Sequence, residues 1–401
     1  MMASDGTGRA GRVTEVFRIF LLLGVTSFGG PVAHLGYFRG AFVIRRKWLS
    51  EAAYADLVAL CQFLPGPSSS QVGMAIGLQR AGVPGMLAAW AAFTLPSAFL
   101  LLAFAFGAAS LIQVAGAGWI DGLKAAAVAV VAHALMGMAR NLTPDKERFA
   151  IAVIAGLLAY MVSGVAGQLG AIGFGAMAGW LLLTPPAVAA DKDEQPAIVS
   201  HATAIAALML FAALLLFLPL LADITRDGTL QTIDRFYRAG SLVFGGGHVV
   251  LPLLQAEVVN SGLVEQDAFL AGYGAAQAVP GPLFSFSAYL GALQSQAPSG
   301  VAGAAIALAA IYLPSSLLVV GTLPYWNRLR RQQRAQQLLR GVNAGVVGLL
   351  AAAFYDPVLL SGIPSSGSAV IAALAFAALS VWRLPAWAVV LAAGAAGFLF
   401  L

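Results

Sequence analysis

Residues 62–71 read QFLPGPSSSQ, and residues 277–286 read QAVPGPLFSF. Each places Pro-Gly-Pro inside a long apolar stretch. Proline donates no backbone hydrogen bond and clashes with the turn behind it, while glycine adds backbone freedom, so a helix entering either segment stops there. The tracts 81–120, 149–190 and 268–327 contain no Asp, Glu, Lys or Arg. A membrane-spanning helix takes roughly 20 apolar residues, so each tract holds more than one. Of the 401 residues, 60% are hydrophobic and 10% charged, against about 25% charged in a soluble domain. Runs such as AAVAVVAHALMGMA (126–139) do not alternate as barrel strands must. The reading is an all-α polytopic membrane protein.

Several functions are disfavoured by what the sequence lacks. There is no G-x-x-x-x-G-K-[ST], and none of the four lysines follows a glycine, so an ATP-driven pump has no phosphate loop. H-E-x-x-H and G-x-S-x-G are likewise missing, and carboxylates cluster at span ends, so a membrane-embedded enzyme lacks machinery. The expectation is no enzyme, no cofactor and no metal. A single cysteine, Cys61, excludes an internal disulfide and reads as a packing residue. The net charge of +5 reflects basic loops rather than nucleic-acid binding. Residues 1–18 are polar and basic and precede an apolar run, but that run contains Gly29-Gly30-Pro31 and no clear cleavage site. It reads as a retained first membrane element.

The chain repeats itself. SFGGPVAHLGYFR (27–39) matches VFGGGHVVLPLLQ (243–255), QFLPGP matches QAVPGP, FTLPSAFLLL (93–102) matches IYLPSSLLVV (311–320), and DGLKAAAVAVV (121–131) matches RGVNAGVVGLL (340–350). The order is kept and the offsets drift only from 215 to 219. Loop charge gives orientation, because Lys and Arg near span ends mark the cytoplasmic side. Arg39, Arg45, Arg46 and Lys47 follow the first glycine motif, whereas its counterpart 255–263 has no basic residue. Conversely, loop 107–120 has none, and its counterpart 328–340 has five arginines. Equivalent loops lie on opposite sides, so the repeats are inverted. The expected division is a first repeat at 1–190, a linker (DKDEQP, 191–196) with a connecting helix at 191–222, and a second repeat at 223–401. Spans are expected near 84–106, 119–139, 149–163, 166–184, 200–222, 303–325, 341–355, 367–381 and 384–401, two of them short. The N-terminus is then cytoplasmic and the C-terminus periplasmic.

Irregular backbone at membrane depth is tolerated where protein buries it or it lines a wet cavity. Residues 51–80 and 266–295 therefore read as half-helix pairs joined at Pro65-Gly66-Pro67 and Pro280-Gly281-Pro282. Gly29-Gly30-Pro31 and Gly245-Gly246-Gly247 would break two further hairpins. Each break exposes a helix N-terminus whose free N–H groups and macrodipole favour an anion. A lone proline kink usually only packs, but matched kinks in inverted repeats point to a binding site. The binding candidates are Ser27, Gly29, Gly30, Pro65, Gly66, Pro67, Ser68, Ser69 and Gln71 in the first copy. In the second they are Gly245, Gly246, Gln277, Pro280, Gly281, Pro282 and Ser285. A small tetrahedral dianion would suit such donors without a metal.

These residues resemble the chromate ion transporter family in its long, two-domain form. The likeness rests on SFGGPVAHLGYFR, RRKWLSEAAYADLVALCQFLPGP and FTLPS, with weaker second copies FGGGHVVLP and AQAVPGP. The resemblance implies inner-membrane export of chromate and chromate resistance. The alternative on the same scaffold is uptake of sulfate or another oxyanion. The expected partners are chromate or sulfate and the lipid bilayer, with room for a homodimer. The second copy carries Leu283 where the first has Ser68, so its half-site is expected to bind differently.

Charged residues in spans are functional candidates. Lys124 stands three residues after Asp121, the spacing of a helical ion pair, and is read either as that pair or as part of an anion path. Arg39, Arg45, Arg46 and Lys47 orient the protein or draw an anion inward. Asp56 either carries a coupling proton or bonds a neighbouring helix, the latter favoured because its counterpart is Ala271. His34 and His248 lie in the glycine hairpins and either titrate or hydrogen-bond.

Overall fold

The computed structural model describes residues 9–162, 164–184 and 199–401. The charged linker read at 191–196 lies outside the described residues. The first repeat contains α1 (Arg9–Thr26), α2 (Gly30–Phe38, continued by a π turn, Arg39–Arg45), α3 (Glu51–Phe63), α4 (Ser68–Ala115), α5 (Gly118–Leu142), α6 (Lys146–Met161) and α7 (Val165–Leu182). The connecting helix is α8 (His201–Thr225). The second repeat opens with α9 (Gly228–Ser241), a 3-10 turn, α10 (Val250–Leu254) and a π turn (Gln255–Val259). It continues with α11 (Gln266–Ala278), a 3-10 turn (Leu283–Ser285), α12 (Phe286–Leu293), α13 (Gly300–Thr322) and the short α14 (Trp326–Leu329). It closes with α15 (Gln333–Ala353), a π turn, α16 (Leu360–Gly362), α17 (Ser366–Ser380) and α18 (Ala386–Phe400). There is no strand among the described residues.

Six helical stretches are long and apolar enough to cross a membrane, and α17 and α18 are shorter apolar helices. The least buried of the six is α8, which exposes Leu216, Phe217 and Ile224, the surface a lipid-facing helix presents. Two expected boundaries differ. The span expected at 341–355 starts earlier, at Gln333, because Gln337 and Arg340 extend the helix as good helix formers. The span expected from 84 follows residues 68–81 with no loop, the break being Gly82 alone, at φ 72. A side chain disfavours that conformation, so glycine permits a single-residue reversal. Its counterpart is Gly300, at φ 59.

Equivalent helices run in opposite directions. One end of the molecule gathers Arg80–Glu15 (3.0 Å), Arg330–Asp56 (3.0 Å) and Gln337 Nε2 donating to Leu183 O (2.5 Å). The other end gathers Lys124–Asp267 (3.1 Å) and the Tyr160–Tyr355 ring contact (5.8 Å). These ends are joined by α5, whose 25 residues span about 37 Å. Asp56 lies in the second turn of α3 at the first end, while Asp267 lies in the first turn of its counterpart α11 at the second.

The repeats are also interlocked. α5 packs on α17 and α18 of the second repeat, and α15 packs on α6 and α7 of the first. Backbones meet where both sides are small. A Cβ on Gly122 would stand 2.2 Å from Ala393 O, and one on Gly341 would stand 2.0 Å from Gly175 O. Small residues let helices approach this closely when lipid removes the hydrophobic drive between them. The same pairing recurs at Gly24 against Phe93 O (2.9 Å) and Gly240 against Ile311 O (2.2 Å). Each of those carbonyls lies three residues before a proline inside its own helix, Pro96 or Pro314.

Candidate anion site at the crossed corners

The four broken segments converge. Gly66 N–H donates to Val243 O at 2.7 Å, and Gly281 N–H donates to Ser27 O at 2.9 Å. Each Pro-Gly-Pro corner thus hangs on the glycine motif of the other repeat, through matching atoms. Pro31 and Gly247 face each other directly, Pro31 Cγ standing 3.4 Å from where a Cβ of Gly247 would be. Both corner glycines have positive φ, 118 at Gly66 and 98 at Gly281, so only glycine makes these turns without strain.

The first corner opens α4, capped by Pro67. Gln71 N–H is the first to close a bond, onto Pro67 O, which leaves the N–H groups of Ser68, Ser69 and Ser70 at the free positive end of the helix. Ser69 meets His34 Nδ1 at 3.3 Å, and His34 Nε2 meets Ser27 O at 3.2 Å. Gln71 Nε2 donates to Pro65 O at 2.7 Å, bracing the turn. Across the repeat boundary, Ser315 Oγ lies 2.2 Å from a Cβ built on Gly66, and Tyr312 faces Ser70 and Thr94. Ser27 Oγ and Ser315 Oγ are buried with no protein partner, and Ser70 Oγ, Thr94 Oγ1 and Tyr312 OH are buried with only Tyr312's approach to the other two between them. Buried polar atoms are nearly always paired, so hydroxyls with so few protein partners beside a free helix end suit a ligand that accepts hydrogen bonds.

The second corner differs. Its first turn is a 3-10 turn, Leu283–Ser285, leading into α12. Leu283, Phe284 and Phe286 stand where the first corner has Ser68, Ser69 and Gln71. Ser285 Oγ turns back to Pro282 O (2.7 Å) and Ser287 Oγ to Phe284 O (2.8 Å). Ser285, expected to face a ligand, therefore spends its donor on its own turn. Gln277 keeps a buried amide nitrogen without a partner.

The chromate transporter profile matches residues 14–180 and again 230–398. The chain belongs to the chromate transporter family. It is 28% identical over 409 residues to the chromate transport protein of Pseudomonas aeruginosa, covering 96% of this chain and 92% of that one. It is 26% identical over 346 residues to the chromate transport protein of Cupriavidus metallidurans, covering 84% and 81%. An uncharacterized transporter of Methanocaldococcus jannaschii is 26% identical over 344 residues, covering 84% and 82%. No solved structure matches. In this chromate transporter family member each matched stretch contains one glycine motif and one Pro-Gly-Pro corner.

The remaining polar candidates lie away from the corners. Lys124, almost fully buried, bonds Asp121 and also Asp267 of the second repeat, both at 3.1 Å. Both of its partners are carboxylates, one from each repeat, so the ammonium ties the two repeats together. Asp56 accepts two bonds from Arg330 Nη1, at 3.0 and 3.2 Å. That makes it the partner of a neighbouring segment, through a pairing 274 residues apart in sequence that no local pattern announces. Arg39 forks onto Glu51 at 2.6 and 2.9 Å, and its guanidinium holds the Glu51 carboxyl below the usual range. Arg45 and Arg46 bond back to Gly40 O and Ala41 O, closing the π turn, and Lys47 stands exposed beside them. His248 meets the Tyr273 hydroxyl at 2.8 Å, whereas His34 is the histidine of the first corner. Gly29 and Gly30 form the left-handed entry to α2. Gly245 lies against Asn343 and Met138, with Gly246 beside the Met138 sulfur. Among the described residues no group of three or more His, Cys, Asp or Glu could hold a metal ion.

Proposed function

We propose that this protein exports chromate, as a tetrahedral oxyanion, from the cytoplasm, in the long form of the family with both halves in one polypeptide. The observation that carries the reading is the first corner: a free helix N-terminus within the membrane region, ringed by buried hydroxyls of which Ser27 and Ser315 lack any protein partner. Donors without a fixed cation suit an oxyanion that must later leave, because N–H and O–H groups bind it less tightly than a dedicated ion pair. Relatives named chromate transport proteins support the substrate. Export of a dianion from a cell negative inside runs down the electrical gradient, so the membrane potential supplies the drive. The polar loops at the Arg330 end face the cytoplasm with the N-terminus, and the C-terminus is periplasmic.

The test is flux into everted membrane vesicles, with and without a pH gradient. Chromate accumulates, and excess sulfate competes because its shape and charge are similar. Flux of sulfate alone, or movement only toward the cytoplasmic face, replaces the reading with oxyanion uptake. For orientation, reporter fusions after residues 112 and 334 report opposite faces, periplasmic and cytoplasmic in turn. Both on one face ends the topology.

A further inference from the structure

The pseudo-symmetry of the repeats invites the assumption of two equivalent anion sites. The donors argue otherwise. At matched positions, Ser315 Oγ is fully buried and unpaired, while Ser97 Oγ donates to Thr94 O at 2.9 Å. Ser70 Oγ is buried with only the Tyr312 hydroxyl beside it, while its counterpart Ser285 Oγ is spent on Pro282 O. Thr94 and Tyr312 occupy equivalent places in the two repeats, yet both hydroxyls sit together beside Ser70. Trp90 packs against Tyr312 with ring centroids 5.9 Å apart, and its buried indole N–H has no partner either. An indole N–H can only donate, so what it awaits is an acceptor. Of the two LPS segments, Ser315 thus reaches Gly66 and Tyr312 reaches Ser70 and Thr94, whereas at the second corner Leu283, Phe284 and Phe286 replace the polar residues of the first and Phe284 packs on Tyr312.

Resting on the function proposed above, we propose that each chain binds one oxyanion, at the Gly66 corner alone. Its specificity is set by Ser315 and Tyr312 of the second repeat with Ser70, Thr94 and Trp90 of the first. The second corner, with Leu283, Phe284 and Phe286 in place of Ser68, Ser69 and Gln71, holds no second oxyanion. The site is therefore shared between the repeats: helix dipole from one, hydroxyls from both. Motion of one repeat against the other changes the donor count and so changes affinity, which transport requires.

The experiment measures chromate binding to the purified full chain by equilibrium dialysis and chromate flux in proteoliposomes. Wild-type protein binds one chromate per chain. Ser315→Ala and Tyr312→Phe each raise Kd and KM about tenfold or more, the effect of losing one hydrogen bond to a charged group. Thr94→Val does the same while Thr94→Ser restores wild-type values, which a purely packing role for the methyl group would not produce. The mirror variant Ser97→Ala stays within about twofold, since its hydroxyl is already spent. Two chromates per chain, equal effects of Ser315→Ala and Ser97→Ala, or unchanged Kd in all the hydroxyl variants overturns the proposal. Wild-type binding with no chromate flux would instead remove the transport reading and leave the site standing.

Discussion

Gly66→Ala lowers chromate flux by about a hundredfold while the protein still reaches the membrane. Two effects combine. The backbone at Gly66 sits at φ 118, where a side chain costs of order 1–3 kcal/mol. The new Cβ would also lie 2.2 Å from Ser315 Oγ and 2.8 Å from Gln71 Nε2, far inside contact distance. The corner must therefore move, and with it the helix start and the Gly66–Val243 bond. A shift of about 1 Å at a binding centre costs about a hundredfold. Gly281→Ala, whose Cβ would meet Ser97 Oγ at 2.9 Å, is the milder lesion. Flux measured at matched membrane levels decides it. Wild-type flux in Gly66→Ala would detach the corner from transport.

The second large effect comes from cutting the chain between the repeats. Residues 1–195 or 196–401, made alone, fail to accumulate as stable monomers, and co-expression of the two restores both protein and flux. The reason is the exchange of α5 and α15. Alone, the first half keeps α6 and α7 without α15, and α5 without α17 and α18. The glycine faces at Gly122, Gly156, Gly175 and Gly179 would then lose the backbones they fit. Close packing between small residues is what holds helices together in lipid, so little remains to order either half. Levels in pulse–chase and size by detergent chromatography report the outcome. A stable monomeric half would mean that the exchange contributes little.

Much of this architecture could be read in the residues. Pro-Gly-Pro inside uncharged tracts announces broken helices, and motifs recurring at offsets of 215 to 219 with reversed loop charge announce inversion. Both readings rest on strong local chemistry: a ring without an N–H, and cations that stay on one side. The partner of each corner was not legible. FTLPS and IYLPS show hydroxyls at Thr94, Ser97, Tyr312 and Ser315, but sequence does not say which repeat's segment faces which corner. That depends on the crossing of α1 with α4 and of α9 with α13. The exchange of α5 and α15 was hidden for a related reason. Their middles are mostly Ala, Gly and Val (AAAVAVVAHA in α5, AGVVGLLAAA in α15), and a small-residue stripe such as Gly341, Gly345 and Gly348 shows that a helix packs there without saying which one. The Asp56–Arg330 tie was hidden by distance along the chain alone.

The paired latches between the corners bear on how the molecule can move. Pro31 and Gly247 are symmetry mates in contact, so the two-fold axis relating the repeats must pass between them. The bonds from Gly66 to Val243 and from Gly281 to Ser27 flank that line on either side. Points on an axis travel least when two bodies turn about it. A turn of one repeat against the other about that line would leave the clasp in place and would have to part the cross-repeat pairs Arg330–Asp56 and Lys124–Asp267 at the two ends, like scissors whose blades are tied at both tips.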